Sequence, residues 1–270
     1  MSTDVTRDFA FGLPKAELHL HLEGTLEPDL KLALARKNAV DIGQSTVEEV
    51  QATYQFNDLT SFLAVYYPAM DVLQDEDDFH DLAAAYFERA RANGVVRAEC
   101  FFDPQAHTSR GIDIETVIRG YHRAVVEARE AGLSADLILC FLRDMSAQSA
   151  LETLQAALPY KDMFIGVGLD SDERDNPPTK FADVFALARE AGLHVTMHCD
   201  IDQVGSIDNI RAALTELVIP NSVQTSTGVV GNSLEMVEYG TKVRSIRMEG
   251  SWVPMPRRIV VRGGVDGSFV

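Results

Sequence analysis

The sequence predicts an α/β fold, a TIM (β/α)8 barrel, and three observations carry that expectation. Five apolar runs of strand length alternate with helix-length segments between residues 10 and 217. Each run ends in polar residues, at the end of the strand where barrels gather their working groups. No glycine-rich turn follows an early strand, as a doubly wound nucleotide-binding sheet would require. At 270 residues and 46% hydrophobic, the chain can bury the core of one such domain.

The first strand is Lys15-Ala-Glu-Leu-His-Leu-His-Leu-Glu-Gly24. Apolar and polar residues alternate through it. An extended backbone then puts Leu18, Leu20 and Leu22 on one face and Glu17, His19, His21 and Glu23 on the other. Glu27-Pro28 opens a helix with proline in its first turn, running to about Asn38. Helical periodicity returns over 61–73 and 76–92, the second helix starting in an acidic run and ending at Asn93-Gly94. Residues 95–102 form the second strand, left through Asp103-Pro104 and followed by an amphipathic helix over 114–131. The third strand, 137–142, exits through Arg143-Asp144 to a helix over 149–157. The fourth, 164–169, exits through Asp170-Ser171 to a helix over 179–191. The fifth, 194–197, exits through His198 to a helix over 207–217.

Two imidazoles side by side on one strand face supply adjacent positions in the coordination shell of a borderline divalent ion. His194 has the opposite parity to Val195 and Met197, which allows an inward side chain, but a place outside the site is the favoured reading. His80, His107 and His122 fall on helices or loops and read as surface or satisfied packing residues. Arg143-Asp144 reads equally as a substrate-orienting pair or a local ion pair.

The net charge of -17 argues against nucleic acid or an anionic membrane as partner. Residues 1–8 are polar, and no long apolar run follows, so a cytoplasmic protein without a leader or anchor is expected. Cys100, Cys140 and Cys199 are widely spaced in apolar stretches and read as small buried side chains, not a disulfide frame.

Leu13-Pro-Lys-Ala-Glu-Leu-His-Leu-His-Leu-Glu-Gly-Thr-Leu-Glu-Pro28 resembles the opening of the adenine and adenosine deaminase family within the metal-dependent amidohydrolases. The likeness continues through Phe101-Phe-Asp-Pro-Gln105, Val167-Gly-Leu-Asp-Ser171 and His198, covering about residues 10 to 217. It implies a barrel of the metal-dependent hydrolase type holding one zinc ion per chain, with His19, His21 and His198 as ligands. It also implies an eighth-strand aspartate as fourth ligand, a place for which Asp266 is the candidate. The implied reaction is attack of metal-activated hydroxide on C6 of a purine, protonation of ring N1 by an acid, and loss of ammonia.

Two positions bear on the substrate. Where the adenosine enzymes usually carry aspartate to meet the ribose, this chain has Glu23, whose extra methylene enters the space of a sugar. Where they carry a small-residue turn after the fourth strand, it has Asp170-Ser171-Asp172-Glu173. Glu23, Asp170 and Ser171 are therefore the expected substrate-binding residues, and adenine is expected ahead of adenosine.

The sequence departs from the family from the fifth strand onward. Ile201 stands where the family keeps its acidic proton donor, so Asp202 is the expected substitute; a helix-capping role for Asp200 and Asp202 is the alternative. No histidine follows His198, and residues 218–270 turn basic, with Lys242, Arg244, Arg247, Arg257, Arg258 and Arg262 against Glu235, Glu238, Glu249 and Asp266. The expectation is one barrel domain over 1–270, well matched over 10–217, with 218–270 divergent and its units shortened or degenerate. An open barrel exposes sheet edges, so a homo-oligomer or a poorly stable chain is expected. A metal- or purine-binding pseudoenzyme and another kind of amidohydrolase remain as alternatives to the deaminase.

Overall fold

The computed structural model describes residues 12–199 except 58, residues 205–217, and Phe9; residues 59 and 60, and short strands between 222 and 254, are described as backbone alone. Strand β1 (Lys15–His21) runs into a 3-10 turn, Leu22–Thr25, and then α1 (Pro28–Lys37), α2 (Val47–Ala52) and α3 (Leu59–Ala69). Next come α4 (Glu76–Ala92), β2 (Val95–Phe102), α5 (Pro104–Thr108), α6 (Ile114–Glu130) and β3 (Ser134–Leu142). The chain continues through α7 (Ala147–Ala157), β4 (Gly166–Asp170), α8 (Ala182–Glu190), β5 (His194–His198) and α9 (Ser206–Thr215).

Strands lie side by side in chain order, β1 to β5 all parallel, and β6 (Ser222–Thr225) adds to β5 in the same direction. This is the arc of a (β/α) barrel with a helix crossing between successive strands. Parallel pairing stops there among the described residues. Strand β7 (Gly228–Val230) runs antiparallel to β6, while β8 (Leu234–Tyr239), β9 (Lys242–Met248) and β10 (Ser251–Pro254) form an antiparallel sheet of their own.

The strands read as unbroken apolar runs because both of their faces are covered. Cys100, Phe102, Leu137, Leu139 and Phe141 face the helices and join the main core, whereas Phe101, Ile138 and Cys140 form a separate cluster on the inner face. All three cysteines are buried and free. Two devices fix the helical layer. Asp75 and Asp78 cap α4 reciprocally, and Lys37 Nζ ties both carboxylates from α1 at 3.0 and 2.8 Å. Gly120 lets α6 close on α4, since a Cβ there would meet Glu76 O at 2.5 Å and Phe79 Cβ at 2.6 Å. Among the described residues no helix is long and apolar enough to cross a membrane.

Candidate metal centre

Strict alternation fails in β1, and the failure builds the site. Glu17 pairs with Ala98 but Leu20 with Cys100, so three steps on β1 match two on β2. This is a bulge with one extra residue, a feature common on edge strands and beside active sites. Leu18 absorbs the insertion and is exposed. The parity change sends Glu17 to the helical side, where its Oε2 accepts from Tyr86 Oη at 2.7 Å. It corrects the expectation that Glu17 shares a face with the histidines. His19 and His21 turn inward and pack against Phe101, with ring centroids at 5.4 and 5.0 Å.

From the C-terminal end of β5, His198 meets them. Its Nε2 lies 2.6 Å from His19 Nε2 and 3.2 Å from His21 Nε2. His198 Nδ1 donates to Leu169 O at 3.1 Å, so its single proton is committed there and Nε2 is bare. His21 Nδ1 lies 3.3 Å from Asp170 Oδ2, an ion-pair contact that turns this nitrogen toward the acid and Nε2 toward His198. Burial, then the charges of His21 and His19, lower His198 well below its ordinary value. Desolvation, followed by His21, pushes His19 down to about 4. Three imidazoles whose Nε2 atoms converge form a donor set for a divalent ion such as zinc. Tetrahedral ligands at zinc–nitrogen distances sit about 3.3 Å apart, close to the separation of His21 and His198.

Behind the triad lies a buried acid cluster. Atoms of His21, Asp103 and Asp170 also come within ligand distance of one another. Burial, then the negative charges of Asp170 and Glu23, hold the Asp103 carboxyl well above its usual range. Burial alone would raise Asp170 as well, but His21, Asp103 and His198 together outweigh burial and lower it, so the proton of the pair resides on Asp103.

Glu23 sits in the 3-10 turn, beyond the reach of strand parity. Its Oε1 accepts from Asp103 N, His107 Nε2 and Tyr121 Oη, each at 3.1 Å. His107 is therefore the buried packing residue of the expected pair of readings, not a surface one. Ser171 follows β4 with φ of 71°, in the left-handed region, and its hydroxyl accepts from Tyr67 Oη at 2.8 Å. Arg143, fully buried, spends its guanidinium on backbone: Nη1 to His198 O at 2.7 Å, Nε and Nη2 to Asn176 O at 3.0 and 2.8 Å. It braces the β5 end against the loop after β4.

Of the residues singled out from sequence, the structure brings together His19, His21, His198, Glu23, Asp170 and Ser171 at one end of the arc. His194 starts β5 and is exposed at its opposite end, so the inward reading fails and its place is outside the site. Asp200, Ile201, Asp202 and Asp266 lie outside the described residues. Tyr66, Tyr67, His107 and Tyr121 were not singled out as site residues. Their signal was faint: a Tyr-Tyr-Pro sequence inside α3, and aromatic residues at helix positions that read as ordinary core.

The family model described as Adenosine deaminase matches residues 14–220. An adenine deaminase of Geotalea uraniireducens is 54% identical over 203 residues, 75% of this chain and 57% of that protein. Among solved structures, adenine deaminase from Arthrobacter aurescens superposes with TM-score 0.75 at 45% identity, covering 79% of this chain and 65% of its own. A zinc-bound amidohydrolase from Burkholderia ambifaria gives TM-score 0.71 at 28% identity, covering 83% and 62%. The chain thus spans somewhat under two thirds of the length of the proteins it matches.

Proposed function

The chain belongs to the adenosine deaminase family, and from that premise we propose that it is a hydrolytic deaminase of a purine, adenine ahead of adenosine. The observation that carries the reading is the convergence of the His19, His21 and His198 Nε2 atoms at the C-terminal end of the arc, with His198 Nδ1 bonded to Leu169 O and His21 Nδ1 facing Asp170. We assign these three histidines to a single zinc ion, supported by the zinc-bound amidohydrolase neighbour. When bound, zinc supplies Lewis-acid activation of water at neutral pH.

The protein groups then divide the remaining work. Asp170 orients His21 and stabilises its ligating tautomer. Arg143 holds the His198 carbonyl and so the direction of that ring. Glu23, Asp170 and Ser171 are proposed to bind the purine, with the Glu23 carboxylate taking room that a ribose would need. Asp202 is proposed to deliver the proton to ring N1, and Asp266 to complete the ligand set. A hydrolytic step of this kind consumes water and releases ammonia and the 6-oxo purine.

Ammonia release from adenine and from adenosine, measured on zinc-supplemented protein, tests the proposal. Adenine turnover exceeding adenosine turnover is the expected result. Zinc binding without turnover of either would favour the pseudoenzyme, and turnover of adenosine alone would overturn the preference.

A further inference from the structure

The Glu23 carboxylate is bonded in an uneven way. All three of its hydrogen bonds fall on Oε1, while Oε2 is equally buried and finds no partner among the described residues. Buried carboxylate oxygens are almost always satisfied, so a bare one in a candidate site calls for a donor from outside the chain. Tyr66 Oη, the nearby hydroxyl that could have served, is itself buried without a partner, so the two are not bonded to each other.

What holds Oε1 is specific. Arg110 Nη2 approaches His107 Nδ1 at 2.9 Å. A guanidinium only donates, so Nδ1 must accept, and the single proton of a neutral ring is placed on Nε2. Burial lowers the His107 imidazole and keeps it neutral. Nε2–H therefore donates to Glu23 Oε1 at 3.1 Å, on a ring with no exposure to solvent. Arg110 is in turn pinned by Met70 O and Leu73 O at 3.0 and 3.2 Å and by Ala106 O at 3.2 Å. Three backbone carbonyls on two segments thus fix one tautomer, and the tautomer fixes one carboxylate oxygen.

We propose that His107, locked by Arg110, is a positioning residue that turns Glu23 Oε2 toward the ligand, where it accepts the imidazole-ring N–H of a free purine base. A nucleoside carries its sugar on that ring and has no such donor. A free base satisfies the bare oxygen, and a nucleoside leaves it buried without a donor. This rests on the purine reading above and gives the base preference a cause besides space.

The test is calorimetric binding of adenine and 9-methyladenine, whose imidazole ring has no N–H, to the zinc-loaded protein. Adenine should bind about tenfold or more tightly than 9-methyladenine, the usual weight of a hydrogen bond to a buried charge. His107→Gln keeps a donor near the same place and should retain most of that ratio. His107→Leu removes the donor and should bring the ratio close to one, chiefly by weakening adenine. Tyr121→Phe, which deletes one of the other donors, should give an intermediate ratio and serves if the leucine variant does not fold. A ratio that persists in His107→Leu overturns the positioning role and leaves the purine reading intact. Wild-type protein that binds neither purine overturns the purine reading, and the ligand named here with it. Independently of any ligand, nitrogen NMR should show His107 protonated at Nε2, and a ring protonated at Nδ1 would overturn the lock.

Discussion

His21 and His198 face each other across the inner surface of the arc with Nε2 atoms 3.2 Å apart. The His198 proton is held on the far side of its ring, toward Leu169 O, and His21 turns its Nδ1 away toward Asp170. Two lone pairs at this distance repel unless a cation lies between them, and residues 177 positions apart have been brought to that arrangement by the sheet. The predictions below follow from it and from the packing that supports it.

Asp170 acts through His21. Asp170→Asn keeps the shape but weakens the pull on the Nδ1 proton, so zinc affinity should fall about 10- to 100-fold, the usual cost of losing such a partner. Competition with a chelator of known affinity measures it. An unchanged affinity would mean that Asp170 does not orient His21.

Glu23→Asp withdraws the carboxylate by one methylene and breaks its reach to His107 and Tyr121. Adenosine turnover should rise from its wild-type level and adenine turnover should fall. If the variant remains active on adenine and gains nothing on adenosine, Glu23 does not set the preference.

The approach of α6 to α4 depends on a missing side chain. Gly120→Ala drives a Cβ into Glu76 O and Phe79 Cβ, and backbone on that side cannot move aside cheaply. Thermal unfolding should show a loss of about 1–3 kcal/mol, the usual cost of overpacking. Zinc content should not change, because none of the three histidines is among the atoms a Cβ at Gly120 would meet.

Metal-free protein should lose stability on acidification through its buried histidines. Burial holds His107 below its ordinary value of 6.5, so the unfolded chain takes up a proton in a window where the folded chain does not. Unfolding then binds protons, and stability falls as pH drops below about 6.5. His198 acts in the same sense. Asp103 opposes it, because its raised carboxyl keeps a proton that the unfolded chain gives up as pH rises past the carboxylate range. The thermal midpoint should fall between about pH 7 and about pH 5, and fall less in His107→Gln, which has no group to titrate there. Equal falls in the two proteins would show that His107 is not held neutral.

Much of the fold was legible because it depends on covered strands and capped helices. The apolar runs of β2 to β5, the acidic start of α4 and Asn93-Gly94 at its end each carry a local signal that tertiary packing leaves intact. The bulge was not legible, because a regular pattern of alternating residues gives no sign of an inserted one; Glu17 changed faces for that reason. Asp103-Pro104 read as a plain exit loop, and the short helix it opens, which delivers His107 and Arg110 to Glu23, was missed along with it. His19, His21 and His198 could be singled out by residue type and motif. The tie that frees the His198 lone pair could not, because it runs to a backbone carbonyl that carries no sequence signature.

The most direct test of the metal centre is native mass spectrometry of the purified chain. About one zinc per chain is expected, lost when any of His19, His21 or His198 is replaced by alanine in a protein that still folds. A folded chain that takes up no zinc, or that keeps it undiminished in His198→Ala, would contradict the assignment of these histidines to a metal.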